Sequence, residues 1–169
     1  MKVTVTGNGP HEALLDWGKG ARRAAIGRSG IGAKIAEGDG ITPLGTYALR
    51  RVLYRVDRGA PPLTGLPRMA LTPDDGWCDA PTDPRYNQQV KRPYPVSNEA
   101  LWRTDHLYDL IVVIGFNDDP VMPGKGSAIF LHIARPTYSV TDGCVAIAAT
   151  DLRELLPHLG HASTIAIRL

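Results

Sequence analysis

Hydrophobic and polar positions alternate in short runs along this chain instead of recurring every three or four residues, which is the signature of strands and not of helices. Val3 and Val5 alternate with Lys2, Thr4 and Thr6, as in a strand with one face buried. Further short β-rich runs cover 21–26, 46–54, 110–115, 128–134, 144–148 and 163–169. Two of them, Ile111-Val112-Val113-Ile114 and the run from Ala128 to Ala134, are almost continuously apolar and suit strands covered on both faces. Only the stretch from Asp151 to Leu159 reads as helical, with Asp151 and Glu154 at capping-box spacing and Pro157 stopping it after about two turns. The fold class expected is therefore mainly β, with one short peripheral helix.

Between Gly59 and Asn98 lie 40 residues that hold most of the chain's 14 prolines. They read as a long irregular insertion. Trp77, Cys78, Tyr86 and Tyr94 within it favour an ordered loop packed on the body, with Trp77-Cys78-Asp79 bordering a cleft. No internal repeat is present, and 169 residues are read as one domain, 1–169.

Composition narrows the function classes. Eighteen Gly and 14 Pro argue against a coiled coil or helical bundle. Nineteen basic and 17 acidic residues leave a net charge of +2, with the basic residues scattered, so nucleic acid is not expected as a partner. The longest apolar stretch, Leu110 to Phe116, is far shorter than the roughly 18–20 residues that cross a bilayer. The amino terminus has no apolar signal-peptide region, so the chain as written reads as cytoplasmic, or periplasmic if exported by another route. Two cysteines rule out a disulfide scaffold, and no two of Cys78, Cys144, His106 and His132 have the close spacing of metal ligands.

Two segments carry chemistry. Gly38-Asp39-Gly40-Ile41-Thr42-Pro43-Leu44-Gly45-Thr46-Tyr47 is a turn cluster feeding a strand. The second runs from His132 to Val145. His132 shares its strand face with Phe130 and Ala134, an unusual place for an imidazole, although a core histidine bonded to a backbone carbonyl would sit there too. Cys144 follows Thr141-Asp142-Gly143 at the head of the next strand; the alternative is a free cysteine acting as a small buried hydrophobe. The loop from Arg135 to Gly143 returns the chain beside the strand it left, which places His132 and Cys144 on adjacent strands within reach. A thiol with a pKa near 8.5 needs such a base at neutral pH. Gly143, without a Cβ, lets the neighbouring amides point at a substrate carbonyl.

Together these segments resemble the L,D-transpeptidase catalytic domain, the YkuD-like family, whose pattern pairs Gly-x-Thr-Pro-x-Gly-x-aromatic with a later strand His and Ser/Thr-His-Gly-Cys. Thr141, Gly143, Cys144 and Val145 match, and His132 matches the base. Three positions depart from the pattern: Asp142 stands where the family has His, Ala146 where it has Asn or Arg, and Ile133 where Gly often follows the base. The resemblance implies a bent sheet or sandwich and a cysteine acyltransferase needing no metal or organic cofactor. Cys144 would attack a carbonyl of a peptidoglycan stem peptide, its precursors or its fragments, through a thioester. His132 would shuttle the proton, the turn Thr141-Asp142-Gly143 would hold the oxyanion, and Arg135 would anchor a carboxylate. Two alternatives stay open: an L,D-carboxypeptidase or peptide amidase cutting the same bond, and a wall-binding domain without catalysis.

Overall fold

The computed structural model describes residues 1–169. Its first strands are β1 (Lys2–Gly7), β2 (Glu12–Asp16), β3 (Arg22–Ala25), β4 (Ile31–Gly32), β5 (Thr42–Pro43) and β6 (Gly45–Tyr54). The middle of the chain supplies β7 (Arg68–Ala70), β8 (Asp75–Cys78), β9 (Gln89–Lys91) and β10 (Asn98–Ala100). The last third gives β11 (Leu110–Ile114), β12 (Phe130–Ile133), β13 (Val145–Ile147), the helix α1 (Ala149–Leu155) and β14 (Thr164–Arg168).

The main sheet runs β11-β12-β13-β3-β2-β1-β14-β6-β7, and β11 also pairs with β6, so its first eight strands close into a ring. Closure removes the exposed edges that a bent open sheet would leave. Alternation fills the interior: Val3 and Val5 of β1, Leu15 of β2, Ile165 and Ile167 of β14 and Val145 and Ile147 of β13 meet in one core of 25 residues. α1 adds Leu152 and Leu155 to it.

The two apolar runs behave as their composition requires. On β11 and β12, Leu110, Val112, Ile114, Leu131 and Ile133 face the ring interior, while Ile111, Val113 and Phe130 face outward into a second core with Leu71, Trp77, Leu101 and Tyr108. The cover over that outer face is the segment expected to be irregular. It is instead built on short strands: β8 pairs with both β9 and β10, and β7 extends the main sheet beside β6. Its side chains do the ordering. Asp75 is buried in β8 and bonds Thr72, Gln89 and Lys91. Asn87 spends all its polar capacity on Trp77, Ala128, Phe116 and Asn117.

The helix begins at Ala149 with no side-chain cap, and its last turn is 3-10, running to His158 through Pro157. Asp151 does not act as the cap. It forms an ion pair with Arg22 of β3 at 3.3 Å, and Glu154 lies 3.7 Å from the same guanidinium, so tertiary pairing takes the place of the capping box.

Candidate active site

β12 and β13 are parallel neighbours with Leu131 opposite Val145 and His132 opposite Ala146. Residue parity then puts Phe130, His132, Cys144 and Ala146 on one face, the outward face beneath the 59–98 cover. His132 and Cys144 both line a groove of about 580 Å³, together with Ala146 and Arg135. The strand-adjacent arrangement expected from the loop length is what the backbone adopts.

The loop before Cys144 is tied down at several points. Thr141 donates its N–H to Ile26 O and accepts from Arg28 N–H, both at 2.9 Å, which extends β3 along the loop. Thr141 Oγ1 donates to Cys144 O at 2.7 Å and accepts the Gly143 N–H at 3.2 Å. The N–H of Cys144 has no acceptor within the fold. Gly143 has φ +130°, and a Cβ there would lie 2.8 Å from Ile41 O. The Gly-x-Thr-Pro segment therefore forms the underside of the cysteine turn. Thr42, fully buried in it, accepts the Gly27 N–H at 2.8 Å and reaches Cys144 O at 3.5 Å. Asp39, in the same turn cluster, accepts the N–H groups of Ile35, Ala36 and Ile41 and the ammonium of buried Lys34.

Cys144 is 7% exposed and His132 5%. The sulfur accepts the Phe130 N–H at 3.3 Å and donates to Ala128 O at 3.2 Å; no hydrogen bond joins it to His132 at rest. Burial, with the Glu99 carboxylate nearby, pushes the thiol up to about 12, and the Phe130 N–H opposes that. His132 Nδ1 lies 2.9 Å from Ile133 O, so a neutral ring donates Nδ1–H there and presents Nε2 as a lone pair. Burial brings its pKa down to about 4. The resting pair is thus a neutral thiol beside a neutral imidazole.

Arg135 is half exposed on the groove, 3.5 Å from Asp105, which also takes Arg103 in a two-bond pair. Asp142 projects into solvent and pairs with Arg28. Asp79 lines the groove as the Trp77-Cys78-Asp79 reading expected, whereas Trp77 packs edge-on to Phe130 and Cys78 is fully buried. The sequence reading did not anticipate Tyr108, Glu99, Arg103 or Arg28. Tyr108 lies edge-on to the His132 ring at 5.2 Å and donates its hydroxyl to Glu99, while Arg103 sits 5.1 Å from the Tyr108 ring centre. Only the position of Tyr108 just ahead of the β11 apolar run hinted at it.

A search of curated proteins finds no match. Among solved structures, L,D-transpeptidase 1 of Mycobacterium tuberculosis aligns with a TM-score of 0.43 and 11% identity, covering 99% of this chain and 62% of that one. This chain therefore corresponds to less than two thirds of that protein's length. The family model described as the L,D-transpeptidase catalytic domain, YkuD, matches residues 8–167, nearly the whole chain and both chemistry-bearing segments, so the protein belongs to the YkuD family of L,D-transpeptidase catalytic domains.

Proposed function

We propose that this domain is a cysteine-dependent L,D-transpeptidase acting on peptidoglycan stem peptides through a thioester acyl-enzyme. The observation that carries this reading is the placement of Cys144 and His132 on one face of paired parallel strands, both opening onto one peptide-sized groove.

Because the resting pair is neutral, the thiol must lose its proton as the substrate docks. Cys144 turns its S–H from Ala128 O toward His132 Nε2, the proton moves to the imidazole, and the sulfur attacks the carbonyl after the L-centre of the diamino acid. The oxyanion forms against the free Cys144 N–H, with the Gly143 N–H exchanging its long bond to Thr141 for it. Collapse breaks the C–N bond, and the imidazolium gives its proton to the departing D-Ala amine. The amine of a second stem then attacks the thioester, loses a proton to His132, and the thiol re-forms. Ile133 O holds the imidazole in the tautomer these steps need, the role a carboxylate plays in a Ser-His-Asp triad. Arg135 anchors the terminal carboxylate of the stem from the groove wall. Ala146, opposite His132, leaves the room that a larger side chain would fill.

The test is product mass. Incubated with stem tetrapeptide, the protein should gain a Cys144 adduct equal to the peptide less D-Ala, and joined dimers should accumulate; Cys144→Ala should give neither. Shortened peptide without dimers would make the domain a carboxypeptidase. The absence of both adduct and product would leave the scaffold as a binding domain.

A further inference from the structure

The charges around the groove do not balance locally. Each of its arginines is engaged by an acid: Arg28 by Asp142, and Arg103 and Arg135 by Asp105. Three carboxylates of the wall have no such partner, and one of them, Glu37, instead accepts the Tyr86 hydroxyl. Glu99 on β10 accepts the Tyr108 hydroxyl on Oε1, but Oε2 makes no hydrogen bond and no cation bridges the side chain. Asp79, which follows β8 on the adjoining strand, holds Oδ1 buried without any partner. Both line the groove beside Cys144. Leaving a buried carboxylate oxygen unpaired, as Asp79 Oδ1 is, is costly, and the cost is relieved when a cation docks.

We propose that Glu99 and Asp79 form a subsite for a primary ammonium on the substrate, namely that on the side chain of the diamino acid whose carbonyl Cys144 attacks. The assignment rests on the acyl-enzyme reading above. The negative charge of Glu99 disfavours a thiolate at Cys144, so an ammonium seated on Glu99 removes that repulsion when the correct peptide is bound. Recognition and activation of the nucleophile are thereby linked, and binding energy is used where it lowers the barrier. Arg103, over the ring of Tyr108, offsets part of the Glu99 charge from a distance but forms no ion pair with it, because Asp105 holds its guanidinium in two hydrogen bonds.

The experiment compares Cys144 acylation rates, read by intact mass, for a tetrapeptide with a free side-chain amine and one acetylated there. Wild-type protein should acylate at least about tenfold faster with the free amine, the scale of a charge-assisted contact. In Glu99→Gln the two peptides should differ less than about twofold, and labelling by iodoacetamide should be no slower than in the wild type, since the thiolate has lost a repulsive neighbour. Equal rates for both peptides in the wild type, or the same preference in Glu99→Gln, would overturn the subsite while leaving the acyl-enzyme intact. No acylation by either peptide would overturn the acyl-enzyme reading itself and the subsite with it. Should Glu99→Gln fail to fold, Asp79→Asn together with the wild-type comparison decides the matter.

Discussion

Asn87→Ala removes the side chain that joins the 59–98 cover to the cysteine. Asn87 Oδ1 accepts Trp77 Nε1–H at 2.9 Å and the Ala128 N–H at 3.0 Å, while Nδ2 donates to Phe116 O at 3.0 Å and Asn117 O at 2.8 Å. Truncation orphans two donors in the interior, each costing about 1–3 kcal/mol, and two carbonyls that retain other lone-pair capacity. Water entering the vacated space recovers part of this, so the expected destabilisation is about 3–5 kcal/mol. At about 2–4 °C per kcal/mol for a chain of this size, the melting temperature should fall by about 6–20 °C. There is a chemical effect as well. Ala128 has φ +53°, a conformation a residue with a Cβ rarely holds, and its carbonyl accepts the Cys144 S–H. Once its N–H is released, Ala128 relaxes and the thiol loses its resting partner. Urea unfolding followed by tryptophan fluorescence measures the first effect, and acylation of the still-folded variant measures the second. A destabilisation below 1 kcal/mol would refute the reasoning that Asn87 bears the junction.

Gly143→Ala places a Cβ against Ile41 O in a backbone conformation that favours glycine, so it should cost about 1–3 kcal/mol or more in strain, and acyl-enzyme formation should fall more than stability does. Thr42→Val deprives the buried Gly27 N–H of its acceptor and should lower stability by about 1–3 kcal/mol in chemical denaturation, although Thr42 never touches substrate. His132 has a folded pKa of about 4 against about 6.5 unfolded, so the unfolded chain binds the extra proton between those values. Stability should be fully present above pH 6.5 and fall by up to about 3 kcal/mol as pH drops toward 4. His132→Gln should lack that component, and equal pH slopes for both proteins would contradict the buried neutral imidazole.

Strand periodicity made the ring's principal strands legible, because Val3, Val5, Ile165 and Ile167 point inward at every second residue. β2 escaped notice: Ala13 and Leu15 are buried, but the adjacent Leu14 is 38% exposed, which breaks the alternation in Glu12-Ala13-Leu14-Leu15-Asp16. β7 to β10 escaped because each has only three or four residues among prolines, and their order comes from Asp75 and Asn87 meeting partners distant in sequence. The closing of the ring rests on the β6–β11 pairing, which no local pattern encodes. At the site, the shared face of His132 and Cys144 could be read from parity and loop length. Glu99, Arg103 and Tyr108 could not, since they approach from a different sheet and from the segment leading into β11. Asp142 and Ala146, departures from the family pattern, prove physically distinct: one is a solvent-facing partner of Arg28, the other a small groove-lining residue opposite His132.

The central claim is that His132 takes the proton of a thiol that is neutral until substrate binds. It is tested most directly by the rate of Cys144 acylation by stem tetrapeptide at pH 7 in wild-type and His132→Gln protein, with peptide mapping to separate Cys144 from Cys78. General-base catalysis of this kind contributes about 100- to 10,000-fold, so the variant should be slower by at least about 100-fold. Iodoacetamide labelling of both proteins should meanwhile rise with pH through 9 without levelling, as a thiol pushed up to about 12 requires. Acylation within a few-fold of wild type in His132→Gln, or labelling that levels off below pH 8, would contradict the account.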